Sequence, residues 1–243
     1  MINFLRTIIY IPLYNFFVLI LNIDWIDVGI ATILLTVLVK IILYPFSKKS
    51  VITQIKMREK EGELKAIKEK YKDKQEQAVK VMEFYKTNNI NPFSSIFTLL
   101  IQIPIIYSLY YIFFQSGLPT IDTGILYSFI HAPESVSMML LGLFDVSQKS
   151  FVLAILAAVS TFSQMHFSSP PSTKSLSGET KEDFSAMMMK QMKYTMPVVV
   201  FFVSWRISAV VALYWFVSNL VGILQDWYIK RQLTYSSNLN IHK

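Results

Sequence analysis

Apolar residues fall in five long runs separated by polar, charged or Pro-rich segments. Val28–Phe46, Phe93–Gln115, Phe151–Phe167, Tyr194–Trp205 and Ile207–Trp227 each read as a helix too apolar for a solvated surface. The first run has 19 residues and spans about 28 Å at 1.5 Å per residue, enough to cross a bilayer core. The fourth is short, about 18 Å, so it must borrow length from the Met187–Met192 run or thin the bilayer locally. Trp25, Trp205 and Trp227 stand at run ends, where interfacial aromatics belong. The pattern predicts an all-α integral membrane protein with a five-helix transmembrane core.

Between the runs the pattern changes. Residues 47–91 carry apolar stripes at helical spacing, Leu64–Ile67–Tyr71 and Ala78–Met82–Tyr85, amid charge. With a turn near Lys72–Asp73 they predict an antiparallel helical hairpin, entered where Pro45 ends the first span and left at the helix-ending Thr87–Pro92. Segment 116–150 reads as a loop, and Ser168–Thr180 within 168–193 as a flexible one. In residues 1–27, the apolar stretch Phe4–Ile23 is interrupted by Arg6, Pro12, Asn15 and Asn22. An interfacial amphipathic helix keeps these polar groups wet and is preferred to a sixth crossing. The charge before that stretch is slight and no A-x-A site follows it, so a cleaved signal peptide is not expected.

Composition agrees: 53% of residues are hydrophobic, and mean hydropathy is +0.43. The net charge of +7 matters once mapped. Segment 47–91 holds 12 Lys/Arg against 7 Asp/Glu, and with 168–193 and the tail 228–243 accounts for 19 of the 23 basic residues. Segment 116–150 has only Lys149 against Asp122, Glu134 and Asp145. The positive-inside rule then predicts a cytoplasmic hairpin and C-terminus and an extracytoplasmic N-terminus. Cysteine is absent, the three histidines are far apart, and no phosphate-cradling loop or Ser–His–Asp pattern occurs. No enzyme, metal or cofactor is expected.

Lys40 is the one charge within Val28–Phe46, and Thr32 and Thr36 share its helix face. An ammonium at the centre of a span costs about 2.5–3.5 kcal/mol on insertion scales, which marks it as a candidate functional group. Snorkelling toward the near interface is the plainer reading, but it leaves the threonines unexplained. Other runs hold polar sets too: Ser95, Thr98 and Gln102, followed by Pro104; Ser160 and Gln164; Trp215, Ser218 and Asn219. Taken singly these are interhelical glue, and Ser218 with Gly222 fits a small-residue packing contact. Taken together they predict one wet cavity within the bilayer.

The segments VKIILYPFSKKS (Val39–Ser50), NPFSSIFTLLIQIPIIYSLYYIF (Asn91–Phe113), MPVVVFFVSW (Met196–Trp205) and ALYWFVSNLVGILQ (Ala212–Gln225) resemble the YidC/Oxa family of membrane protein insertases. PLYN at Pro12–Asn15 looks like that family's amphipathic segment, and the resemblance covers nearly the whole chain. It implies five spans around a hydrophilic groove open to lipid and cytoplasm, with a positive residue in the first span. The family usually places arginine there; here the position is Lys40, which keeps the charge but not the five-donor fork. The groove glutamine and tryptophan map onto Gln164 and Trp215, with Gln102 a weaker match. The short bacterial form is implied, without its lipidated cysteine.

The reading is thus an insertase and chaperone that moves short polar segments of nascent membrane proteins across the bilayer. The ribosome and a Sec-type translocon are further candidate partners, and no small-molecule substrate is expected. Two alternatives stay open. A small secondary transporter would hold substrate at Lys40 but predicts an inverted repeat. A non-catalytic docking or assembly factor would work through the hairpin and the Met-rich segment.

Overall fold

The computed structural model describes residues 6–91, 94–115, 118–168 and 184–241, and most of these are helical. The loop expected at Ser168–Thr180 lies, beyond Ser168, outside the described residues, as do Pro92, Phe93 and the side chains of Ser95, Thr98 and Met187–Met189. A π-helical turn, Arg6–Tyr10, leads into α1 (Ile11–Leu21). Then follow α2 (Val28–Glu59), α3 (Glu61–Lys70), α4 (Lys74–Thr87) and α5 (Ser94–Tyr110), the last extended by a π-helical turn at Tyr111–Gln115. After a loop with one two-stranded ladder come α6 (Phe151–Ser168), α7 (Phe184–Arg206) and α8 (Ala209–Ile241).

Among the described residues, three helices are long and apolar enough to cross a membrane: α2, α6 and α8 over Ala209–Leu233. Arg6–Leu21 and Leu100–Phe113 are apolar but shorter. Helix α8 is the spine. It packs along α2 on one side and α6 on the other, and α7 lies against α6. The outward faces remain apolar, with Leu34, Val159, Val198 and Leu224 all exposed. That is the surface lipid requires.

Pro45 does not end the first span. Helix α2 runs unbroken to Glu59 with Pro45 inside it. A proline removes one i→i−4 bond, and long helix on both sides holds the geometry across the gap. The N-terminus of α2 is set by Asp27, whose carboxylate accepts from the Ile30 N–H at 2.8 Å.

The charged hairpin reverses at Tyr71–Asp73. Asp73 caps α4 by accepting from the Gln75 and Glu76 N–H groups, and the Gln77 amide donates to the carbonyls of Lys68 and Tyr71 at the end of α3. The inward face of α4 differs from the expected Ala78–Met82–Tyr85 stripe. Phe84 is buried, while Ala78 and Met82 are exposed. Gln77 fixes the rotation of the helix, and the face it selects (Gln77, Val81, Phe84) carries the larger aromatic anchor. Asn89, at φ 51°, closes α4 while the Ile90 N–H reaches the Tyr85 carbonyl.

The N-terminal segment departs further from expectation. Asn15 is not wet: it is 1% exposed. Its amide donates to the carbonyls of Ile11 (2.9 Å) and Ile125 (2.8 Å), and its oxygen accepts from the Tyr127 N–H. The Tyr14 hydroxyl accepts from the Asp122 N–H, and Asn22 donates to the His131 carbonyl. Helix α1 is thus a docking strip for the 118–150 segment, buried through Tyr14, Phe17 and Val18. That segment is folded rather than a plain loop. Its β1 (Met139–Leu140) pairs antiparallel with β2 (Phe144–Asp145). It also caps two helices: the Val28 N–H donates to Ser137, the Ala209 N–H to Gln148 and the Val210 N–H to Val146. These N–H groups would otherwise be orphans at helix starts.

Asn15→Ala should therefore loosen a distant segment. Each buried partner left unsatisfied costs about 1–3 kcal/mol. The expected result is a lower thermal midpoint together with faster proteolysis within residues 118–150; unchanged proteolysis would show that α1 does not hold the segment.

Candidate functional site

The candidate residues do not converge on one point. They form rungs along α8. At the first rung, on α8's second turn, Gln102 of α5 donates to the Tyr214 hydroxyl, and Tyr214 also bonds Ser218. Trp215 beside it is half-buried against the core. At the second, the Asn219 amide donates to Ser160 Oγ (3.0 Å) and Thr161 Oγ1 (2.7 Å) of α6, and both hydroxyls in turn donate to the Ala157 carbonyl. At the third, the Gln164 amide lies over Gly222, where a Cβ would collide with it. At the fourth, Gln225 Nε2 donates to the Lys40 carbonyl of α2 at 2.9 Å. Asp226 follows at once, accepting from the Ser168 hydroxyl, while Lys230 Nζ donates to the Phe167 carbonyl.

Ten residues, about 15 Å, separate Trp215 from Gln225 along the helix. Lys40 therefore lies one to two turns from the charged end of α8, not beside Trp215. The single wet cavity expected from sequence would thus have to extend along this length of α8. Helices α2 and α8 run parallel, both starting on the 118–150 segment, so Lys40, twelve residues into α2, meets Gln225, sixteen residues into α8, rather than Trp215 near the α8 start.

Burial sorts the candidates into two kinds. Thr32 and Thr36 are buried and satisfied within α2, donating to the carbonyls of Val28 (2.7 Å) and Thr32 (2.6 Å). Ser160, Ser218 and Asn219 are buried and bonded across or along helices. Lys40, Gln102, Gln164 and Trp215 are only half-buried. The Lys40 ammonium makes no ion pair within 4.0 Å among the described residues, and the nearest opposing charge acting on it is Asp226.

Sequence reading missed Thr161, Tyr214, Gln225 and Asp226. A signal was available for two of them. Gln225 and Asp226 are polar residues at the end of an apolar run, one turn from Gly222. Their position beside Lys40 depends on helix pairing, which periodicity does not give.

Fold and site together define an all-helical integral membrane protein with a polar column running between its central helices. The chain belongs to the family described as 60Kd inner membrane protein, the YidC/Oxa group, which matches residues 20–237. It is 33% identical over 201 residues to a protein of Clostridium perfringens named Membrane protein insertase YidC, covering 82% of this chain and 77% of that one. Proteins of the same name from Francisella philomiragia and Francisella tularensis subsp. novicida are each 34% identical over 206 residues, or 84% of this chain. The chain spans about a third of the length of these Francisella relatives, 32% in each case.

Proposed function

We propose that this protein is a bacterial inner-membrane insertase and chaperone, working without enzymatic turnover on nascent membrane proteins. The observation that carries the reading is Lys40, a half-buried cation without an ion-pair partner within 4.0 Å among the described residues, in a helix otherwise apolar for most of its span. Structural threonines and the Asn219 cluster are saturated, so the polar groups left to meet an incoming chain are Lys40, Gln164 and Trp215, with Gln102 above. A client's short polar segment enters from the side of the charged hairpin, which we take as cytoplasmic, and meets Lys40 first. It then moves along the α8 column past Gln164 toward Trp215. Each rung replaces part of the hydration that a bare bilayer would strip, a penalty of several kcal/mol per unpaired charge. The client's hydrophobic span then partitions into lipid at about 25 cal/mol per Å² of buried apolar surface, which supplies the driving force. In this scheme five helices (α2, α5, α6, α7 and α8) make the core, and the basic hairpin and tail offer surfaces for the ribosome or a Sec-type channel.

The direct test is reconstitution. Purified protein alone in liposomes should insert a single-span client with a short translocated tail, and empty liposomes should not. In the same vesicles, single cysteines at Gln164 and Trp215 should react with a small hydrophilic thiol reagent and crosslink to client. Cysteines at the buried Thr36 and the lipid-facing Leu34 and Val159 should stay inert. Insertion absent, or reactivity equal at all five positions, would refute the column as a route.

A further inference from the structure

The ladder between β1 and β2 closes through Leu141, Gly142 and Leu143, with the Leu143 N–H donating to the Leu140 carbonyl at 2.9 Å. Leu141 and Gly142 both have positive φ, 53° and 68°. Turns of this kind favour Asn, Asp or Gly, and a leucine in the left-handed region is uncommon. Here the leucine is also 65% exposed, and Leu143 is 75% exposed. An aqueous turn could take polar residues at both positions with less backbone strain.

The depth of the turn is fixed. Leu140 is buried against Gly29, the second residue of α2: a Cβ added there would lie 2.6 Å from Leu140 Cβ and 2.8 Å from its Cα. The tip therefore stands level with the first turn of a membrane-spanning helix. Around it, at the starts of α2 and α6, Trp25, Phe151 and Val152 are exposed. No charged residue occurs between Val136 and Phe144, and the Asp145 carboxylate is turned onto Ser147, accepting from its N–H and hydroxyl.

We propose that the Leu141–Phe144 turn is a membrane wedge whose partner is the lipid acyl region of the leaflet in which α2 begins. Continuity with the lipid-facing starts of α2 and α6 favours lipid over a protein partner. The wedge would anchor segment 118–150, and through Val28, Ala209 and Val210 the starts of α2 and α8, at a fixed height in that leaflet.

The chain has no cysteine, so single labels are clean. An environment-sensitive fluorophore on a cysteine at Leu143, in liposomes, should be quenched at least about twofold more by shallow nitroxide-labelled lipid than the same label at exposed Ser135. Aqueous iodide should show the reverse order. Equal behaviour at both positions would overturn the proposal, as would lipid contact seen only after a client chain is added. Leu141→Asn suits the left-handed backbone and should hold or raise the thermal midpoint in detergent, while reducing lipid quenching of the Leu143 label. A lowered midpoint with unchanged quenching would show that Leu141 packs on protein instead.

Discussion

Replacing Lys40 with glutamate should cut insertion of clients with acidic translocated tails by about tenfold or more, roughly 1.4 kcal/mol or greater. Lys40→Arg should stay close to wild type, because the charge at this rung is what an acidic segment meets first. Lys40→Ala should fall between them for acidic clients and approach wild type for neutral ones. Stability should move the other way. An ammonium in a span is unfavourable, so Lys40→Ala should leave the thermal midpoint unchanged or raised. Insertion is read by protease protection of the client at matched expression. Equal insertion of acidic clients by Lys40→Glu and wild type would remove the charge from the mechanism. Snorkelling toward the charged end of α2 is disfavoured by helix geometry: long side chains lean toward the helix N-terminus, here toward Thr36 and the bilayer interior.

Gly29→Ala should be the most damaging small substitution in the chain, and Gly222→Ala a mild one. Both glycines lie in helices where alanine is intrinsically better by about 1 kcal/mol. They differ in what the new methyl meets. At Gly29 it strikes the Leu140 Cβ and backbone Cα, which are held by the β ladder and by the Val28–Ser137 hydrogen bond. Neither partner can withdraw without opening the segment, so a net loss of about 1–3 kcal/mol is expected. At Gly222 the obstacle is the Gln164 amide, the far end of a flexible side chain. It can swing away, leaving stability near wild type and shifting only the column. Thermal unfolding in detergent followed by the four tryptophans reads both effects. A Gly29→Ala protein as stable as wild type would mean that Leu140 is not seated on α2.

Sequence by itself determined the membrane class, because runs such as Val28–Phe46 and Ile207–Trp227 cannot be covered by water. It also marked Lys40, since a lone charge in such a run stands out whatever packs around it. Family membership followed from local motifs that stay together along the chain. The tertiary structure decided which polar residues remain available. Thr32, Thr36, Ser160 and Asn219 looked equivalent to Gln164 in sequence, yet they are buried and hydrogen-bonded, because a membrane interior forces each polar group onto the nearest partner. Asn15 looked like a residue kept in water and proved to be a buried clasp for Ile125 and Tyr127, more than a hundred positions away. Neither periodicity nor composition encodes which helices lie side by side. The bond from Gln225 to the Lys40 carbonyl, and the seating of Leu140 on Gly29, arise only when α2, α8 and the 118–150 segment pack together.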